Sequence, residues 1–393
     1  MSVWLIEPVD PLIARDGRPA AVGRFSTVGF PYPSMTAGAV RTRMGSEGGA
    51  FVIPRESLGE LRENVIVRGP LLAEMAGEKD EISQWLAPAP RDAVFLEDAG
   101  KVNLKRLAPR PLRSGEAMDS LLEKDLTPLR FHGGETYGKP PAGIPAFWNW
   151  KDFETWLISP RDRRDVDLQS LGAASLPVER RAHLAIQPGE RVGIDGMLFQ
   201  TAGLRFLQNT RQDGPSFETR RFALSVWCRG GHVAGRDLAL RPQIAPLGGE
   251  RRLARWSPAS HGWPEMPAAI REKIAETGRA RLALLTPAVF EKGALPGWSG
   301  GAWPLDGSIT VNVRAAAVPR PEVVSGWDLF KGRPKRSRRL APAGSVYFVE
   351  LNGSPEDRRR WCDETWLACV SDGEQDRRDG FGLVALGTWE DEE

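Results

Sequence analysis

Cysteine is scarce: the 393-residue chain has three, Cys228, Cys362 and Cys369, and none stands in a CxxC pair. An odd number without that spacing excludes a disulfide framework and a thiolate zinc site, and fits a reducing compartment. Long apolar runs are missing too. No stretch approaches the ~18 residues of a spanning helix, and no charged leader with an apolar core opens the chain. A soluble, cytoplasmic protein without membrane contact is expected. Excess charge of one sign is absent: Lys+Arg 53 against Asp+Glu 51 leaves a net +2. Overall charge therefore does not mark a nucleic-acid binder, and any basic surface must be local. Catalytic signatures are lacking as well. There is no GxxxxGK[ST], HExxH or GxSxG, and no GxGxxG after a strand. The histidines, His132, His183, His232 and His261, are scattered without ligand spacing. No catalytic residue, metal or cofactor is assigned.

What the chain has in plenty is glycine (42), proline (32) and tryptophan (14). Such usage without low-complexity repeats predicts short elements joined by many turns, with the tryptophans in core and boundary packing. At roughly 100–200 residues per domain the length predicts about two domains. The apolar "VWLI" near the N-terminus reads as a strand, stopped by Pro8 and Pro11, and followed by "ARDGRP", a turn at Asp16-Gly17 flanked by Arg15 and Arg18. In "FPYPSMTAGAVRTRMG" (30–45) a helix is predicted with Ser34 as N-cap. Ala37, Val40 and Met44 fall on its apolar face and Arg41 on a flank away from it.

Strands are predicted at 65–74, 91–98, 180–186, 220–227, 281–285, 309–313 and 345–351, and a helix over 266–278. In 180–186, Ala182, Leu184 and Ile186 share one face and Arg181, His183 and Ala185 the other, with 197–207 as the hairpin partner. Residues 111–156 read as loops and an insertion. Ser354-Pro355-Glu356-Asp357 approaches a capping box, and Trp361, Cys362, Thr365, Trp366 and Cys369 then recur at helical spacing. Strand, helix, glycine turn "GFG" (380–382) and strand make half of a βαββαβ unit. The expected class is α+β: two ferredoxin-like (RRM-like) domains with long loop insertions, over 1–175 and 176–393.

Basic stretches carry the functional signal. "KGRPKRSRR" (331–339), including Lys335 and Arg336, lies just after Trp327 and Phe330. "GGERRLAR" (248–255), including Arg251, and "VERR" (178–181) add further clusters. Cations interleaved with glycine and flanked by aromatics suit the phosphates and bases of single-stranded RNA.

Six segments occur in order along nearly the whole chain. They are "IEPVDPLIARDGRP", "PSMTAGAVRTRM", "ERRAHLAI…DGMLFQT", "PLGGERR", "VSGWDLFKGRPKR…PAGSVYFVEL" and "GFGLVALGTW". Together they resemble the Cmr-type RAMP subunit of type III-B CRISPR effector complexes. The least matched region is about 75–175, and no residue role is carried over there. The resemblance implies a non-catalytic subunit that holds the 5′ tag of the CRISPR RNA. It implies docking on the large polymerase/cyclase-like subunit and a backbone RAMP subunit, with target RNA met indirectly. It places Arg15 and Arg18 beside the guide's 5′ end, with Ser34, Thr36 and Arg41 as further contacts. Gly380 and Gly382 would let RNA approach the terminal domain. His183, on the face away from its strand's apolar side, is a further candidate RNA contact, and the competing reading is a RAMP-superfamily endoribonuclease using His183 with Arg180 or Arg181 as base and stabiliser. A metabolic enzyme lacks a cofactor motif.

Overall fold

A computed structural model describes residues 2–15, 27–77, 81–117, 126–131, 137–211, 217–307, 309–328 and 332–389. The chain forms two compact units from interleaved segments. The first comprises Met1–Gln84, Ser175–Gly262 and Val323–Arg338, and the second Trp85–Ala174, Trp263–Glu322 and Arg339–Glu393. The contiguous halves 1–175 and 176–393 are thus not the units. One crossing falls at Ala174–Ser175, but the chain also crosses after Gln84, Gly262, Glu322 and Arg338.

Along the chain, β1 (Ser2–Pro8), α1 (Pro33–Met44), α2 (Leu58–Asn64) and β2 (Ile66–Met75) belong to the first unit. The next strand, β3 (Ile82–Pro88), carries the chain into the second, where β4 (Ala93–Asp98), β5 (Lys101–Pro109), β6 (Phe147–Asn149) and α3 (Trp150–Ile158) follow. Returning to the first unit, it forms β7 (Val178–Ile186), β8 (Gly193–Leu204), β9 (Phe217–Arg229), β10 (Gln243–Pro246) and β11 (Leu253–Pro258). The second unit then gains α4 (Ala268–Thr277), β12 (Arg279–Leu284), β13 (Thr310–Ala317), β14 (Val346–Leu351), α5 (Pro355–Thr365) and β15 (Val384–Thr388).

In the first unit the strands lie in the order β2-β9-β1-β11-β10, each neighbouring pair antiparallel. Leu72, Leu224, Ile6 and Trp256 stand opposite one another across this sheet and are all buried. α1 packs against β2 through residues spaced three and four apart, Pro33, Ala37, Val40 and Met44 among them. It begins at Pro33, not after Ser34: proline's fixed φ starts the helix, Tyr32 is the N-cap, and no side chain caps it.

In the second unit the order is β13-β14-β12-β15, again antiparallel. Numbered by chain order within its unit, each sheet of four (β1, β2, β9, β11 and β12, β13, β14, β15) runs 4-1-3-2. In the first, α1 and α2 both lie between the first and second strands; in the second, α5 and a short helix at Glu374–Arg378 lie between the third and fourth. Between β12 and β13 there is no helix among the described residues; α4, which precedes β12, packs beside α5 instead. The expected capping box is present at Ser354 and Asp357. The helix ends at Thr365, earlier than the Trp366–Cys369 spacing predicts, because Leu367 turns the chain at φ +51°.

The segment read as loops and insertion is partly structural. α3 lies within it and packs on β15. At its end Arg281 of β12 is buried, donating to Asp92 and to the carbonyls of Trp156, Leu157 and Thr388. Trp156 Nε1 donates to the same Asp92 carboxylate at 3.0 Å. Every charge removed from water here meets a partner, which is the condition for burying such groups. No helix among the described residues is long and apolar enough to cross a membrane.

Candidate nucleic-acid interface

In the first unit, Pro11–Ile13 is where three chain segments meet. Leu12 forms a bridge with Leu204 at the root of the β7–β8 hairpin, with N–H···O distances of 2.9 and 2.8 Å in the two directions. Ile13 O accepts the Gly249 amide at 2.8 Å, which seats the "GGER" loop. Ala14 O accepts the Val28 amide at 2.8 Å and the Thr27 hydroxyl at 3.1 Å, so Thr27 and Val28 lie beside Ala14 and Arg15. Gly248 makes the second contact possible: at φ +75°, a Cβ there would lie 2.7 Å from Ile13 O.

The cations around this point are exposed. Arg15 is exposed, and the turn expected at Asp16-Gly17 lies outside the described residues. Arg251 is exposed and has no side-chain hydrogen bond or ion pair among the described residues, whereas Glu250 pairs with Arg252 at 3.2 Å. Glu250 and Arg251 sit at φ +55° and +53°, a conformation that costs non-glycine residues free energy and that collects at functional sites. On the hairpin, Arg180 and Arg181 are exposed and Arg181 pairs with Glu179. The His183 ring stacks on Phe199 (centroids 4.9 Å apart, 12° between planes), and its Nε2 lies 2.9 Å from Thr201 Oγ1.

Several expected residues stand elsewhere. Arg41 does not occupy an open flank. It is buried, with Nε and Nη2 donating to Val65 O at 3.3 and 3.0 Å and Nη2 to Arg62 O at 3.4 Å, where it binds the carbonyls at the end of α2. Thr36 is buried too, its hydroxyl donating to Pro33 O inside α1. Ser34 is half-buried on the first turn. Gly380 and Gly382 lie in the second unit, both buried. A Cβ on Gly382, at φ +78°, would meet Ser371 N at 2.8 Å, and Gly380 O accepts the Thr286 hydroxyl. The close approach that Gly382 permits is by the protein's own backbone.

Arg18 lies outside the described residues. In the basic arm, Trp327–Asp328 pairs with Arg333–Pro334 as a small antiparallel ribbon, and the Trp327 side chain lies outside what is described. Lys335 and Arg336 follow with exposed side chains, and the Lys335 amide donates to Gly326 O at 2.7 Å. Sequence reasoning passed over the seat at Leu12 and Ile13, whose only local mark is a pair of flanking prolines, and the strain at Glu250. No group of histidine, cysteine or carboxylate side chains suited to a metal occurs among the described residues.

A family model described as "CRISPR-associated protein (Cas_Cmr3)" matches residues 4–389. No curated protein matches the chain. Among solved structures, a chain of the type III-B Cmr-beta complex bound to cognate target RNA and AMPPnP is similar at 12% identity and a TM-score of 0.44, covering 92% of this chain and 87% of that one. A chain of the Cmr-beta complex bound to cognate target RNA gives 12% and 0.43, with 88% and 86% covered.

Proposed function

Because the chain belongs to the Cmr3 family of CRISPR-associated proteins, and so to the subunits of type III-B effector complexes, we propose that it is a non-catalytic scaffold holding the 5′ tag of the CRISPR RNA. In this reading it bridges the large cyclase-like subunit to the backbone RAMP subunits. One observation carries the tag site: the GGER loop and the hairpin root are both seated on Leu12–Ile13, just ahead of Arg15, so Arg15 and Arg251 stand on adjoining segments. Cations presented from backbone-anchored loops suit phosphodiester oxygens, with charge-assisted hydrogen bonds fixing register. The 4-1-3-2 order of both antiparallel sheets supports reading each unit as ferredoxin-like, with one helix of each βαββαβ pattern replaced.

The scaffold reading is favoured over an endoribonuclease by the state of His183. Its ring is stacked on Phe199 and its Nε2 engaged by Thr201, so the base is committed locally, and of the two candidate stabilisers Arg181 is taken by Glu179.

The test is the affinity of tagged and tag-stripped guide RNA for Arg15→Ala/Arg251→Ala. At roughly 1–3 kcal/mol per charge-assisted hydrogen bond removed, tagged guide should weaken tenfold or more and the stripped guide much less. Equal losses on both RNAs would overturn tag recognition at this seat. Cleavage of repeat RNA that vanishes in His183→Ala would overturn the scaffold.

A further inference from the structure

Arg252 closes the GGER loop with its binding edge half used. Its side chain is 19% exposed, and Nη2 donates to a Glu250 carboxylate oxygen at 3.2 Å. Its Nε is buried and has no hydrogen-bond partner among the described residues. Nε and Nη2 form an edge through which a guanidinium holds one oxyanion by two parallel bonds. Two other arginines of this chain show that edge filled. Arg220 gives Nε and Nη2 to Glu74 at 2.6 and 2.7 Å, and Arg271 gives them to Asp363 at 2.9 and 2.8 Å. Arg252 is one acceptor short, and a buried donor left unmade is unfavourable.

The loop holds Glu250 in a strained position. Its ends are fixed: Leu247 N donates to Arg252 O at 2.7 Å, and Gly249 N to Ile13 O at 2.8 Å. Between these bonds Glu250 stands at φ +55°, a region that costs a non-glycine residue free energy. From two residues away its carboxylate reaches only one of the two donors on that edge.

We propose that the Glu250 carboxylate is a displaceable stand-in for an RNA phosphodiester, and that Arg252 is the phosphate-binding group it occupies. When RNA reaches the loop, the two non-bridging oxygens of one phosphate take Nε and Nη2, and the carboxylate moves out to water. One charge-assisted bond is exchanged for two, and the buried Nε gains its acceptor. The neighbouring Arg251 is exposed, so the opened loop presents two adjacent cations to the RNA backbone. Glu250 thereby sets a threshold, since only a ligand that outcompetes an internal carboxylate engages Arg252. The proposal rests on reading this loop as an RNA contact, and adds to it a binding group and a control on that group.

The test is a double-mutant cycle on the full chain, read as affinity for tagged and tag-stripped guide RNA. Glu250→Gln should tighten binding about threefold, the scale of one surface ion pair released. Arg252→Met keeps the stem's bulk and should weaken binding roughly tenfold, as the paired bonds to phosphate are lost. Adding Glu250→Gln to Arg252→Met should then recover nothing. A gain that persists in the double variant would overturn the proposal, because Glu250 would then act only as a general repulsive charge. Wild-type affinity in Arg252→Met would also overturn it and leave the pair a local surface contact. Arg252→Lys decides the matter if the thermal transition of Arg252→Met is lost. It keeps the cation without the planar fork, and should weaken binding roughly fivefold with its transition retained. Full affinity in Arg252→Lys would overturn two-bond recognition of the phosphate. Failure of the tag reading shows separately, as equal losses on both RNAs in Arg15→Ala/Arg251→Ala, whereas the coupling of Glu250 to Arg252 is measured within each RNA alone.

Discussion

Arg41 shows how far a single side chain's role depends on what its neighbours leave unsatisfied. A helix ends with carbonyls lacking partners, and α2 ends beside α1, so the guanidinium serves Val65 O and Arg62 O. The helical wheel separated Arg41 from Ala37, Val40 and Met44 but held no information on a carbonyl arriving from residue 65. Arg41→Met keeps the stem's bulk and removes the donors. It should cost about 1–3 kcal/mol, since buried acceptors are left unmade, read as a lower urea midpoint. Tagged and stripped RNA should then be affected alike, through the folded fraction only. Unchanged stability with selective loss of tagged RNA would restore Arg41 to the binding surface. Gly382 follows the same logic. The need for close approach at Gly382 was legible in the sequence, but the identity of what approaches was not, because the Ser371 backbone comes from another part of the chain.

Elements were read best where the pattern is local. The capping box at Ser354 and the strand over 220–227 both appear as expected, since each follows from neighbouring residues alone. That no other strand among the described residues joins β7 and β8 could not be read, because alternation states which face is apolar and not whether anything covers it. The pairing of β2 with β9 has a pH signature. Glu74 is partly buried, which opposes ionisation, yet hydrogen bonds from Arg220 (2.6 and 2.7 Å) and Gln84 (2.6 Å) and the Arg220 charge outweigh it and hold the carboxyl below its ordinary value. A depressed folded-state value contributes stability above the unfolded carboxylate range, about 4.3, that is lost as pH falls through the folded one. The advantage of wild type over Glu74→Gln should therefore be full at pH 7 and shrink below about pH 4; an advantage constant with pH would contradict it. For the basic arm, Lys335→Ala/Arg336→Ala should make the log–log salt dependence of guide binding shallower, by roughly 0.7 for each single-strand phosphate no longer neutralised. An unaltered slope would place the arm against solvent or protein.

At the scale of the whole molecule, the interleaving of the units decides what can fold alone. Two domains were legible from length, but a cut near 175 assumes that strands adjacent in sequence are adjacent in the sheet. They are not: β1 and β2 precede that cut, and β9, the strand that lies between them, follows it. A fragment spanning 1–175 would hold β1 and β2 with no strand to join them, leaving Ile6 and Leu72 without the buried partner Leu224 that links them. The complementary fragment would keep β12–β15 but lose Asp92, leaving the Arg281 guanidinium in its buried site without a counter-charge, a loss of about 3–5 kcal/mol where one partner of a buried pair is removed. Neither piece should give a cooperative thermal transition when expressed alone, and both should be degraded quickly in limited proteolysis. Co-expressed, they should reassociate, since every strand of both sheets is then present. A fragment 1–175 that melts cooperatively by itself would show that the first half carries a complete core and that the two interleaved units are not the folding units.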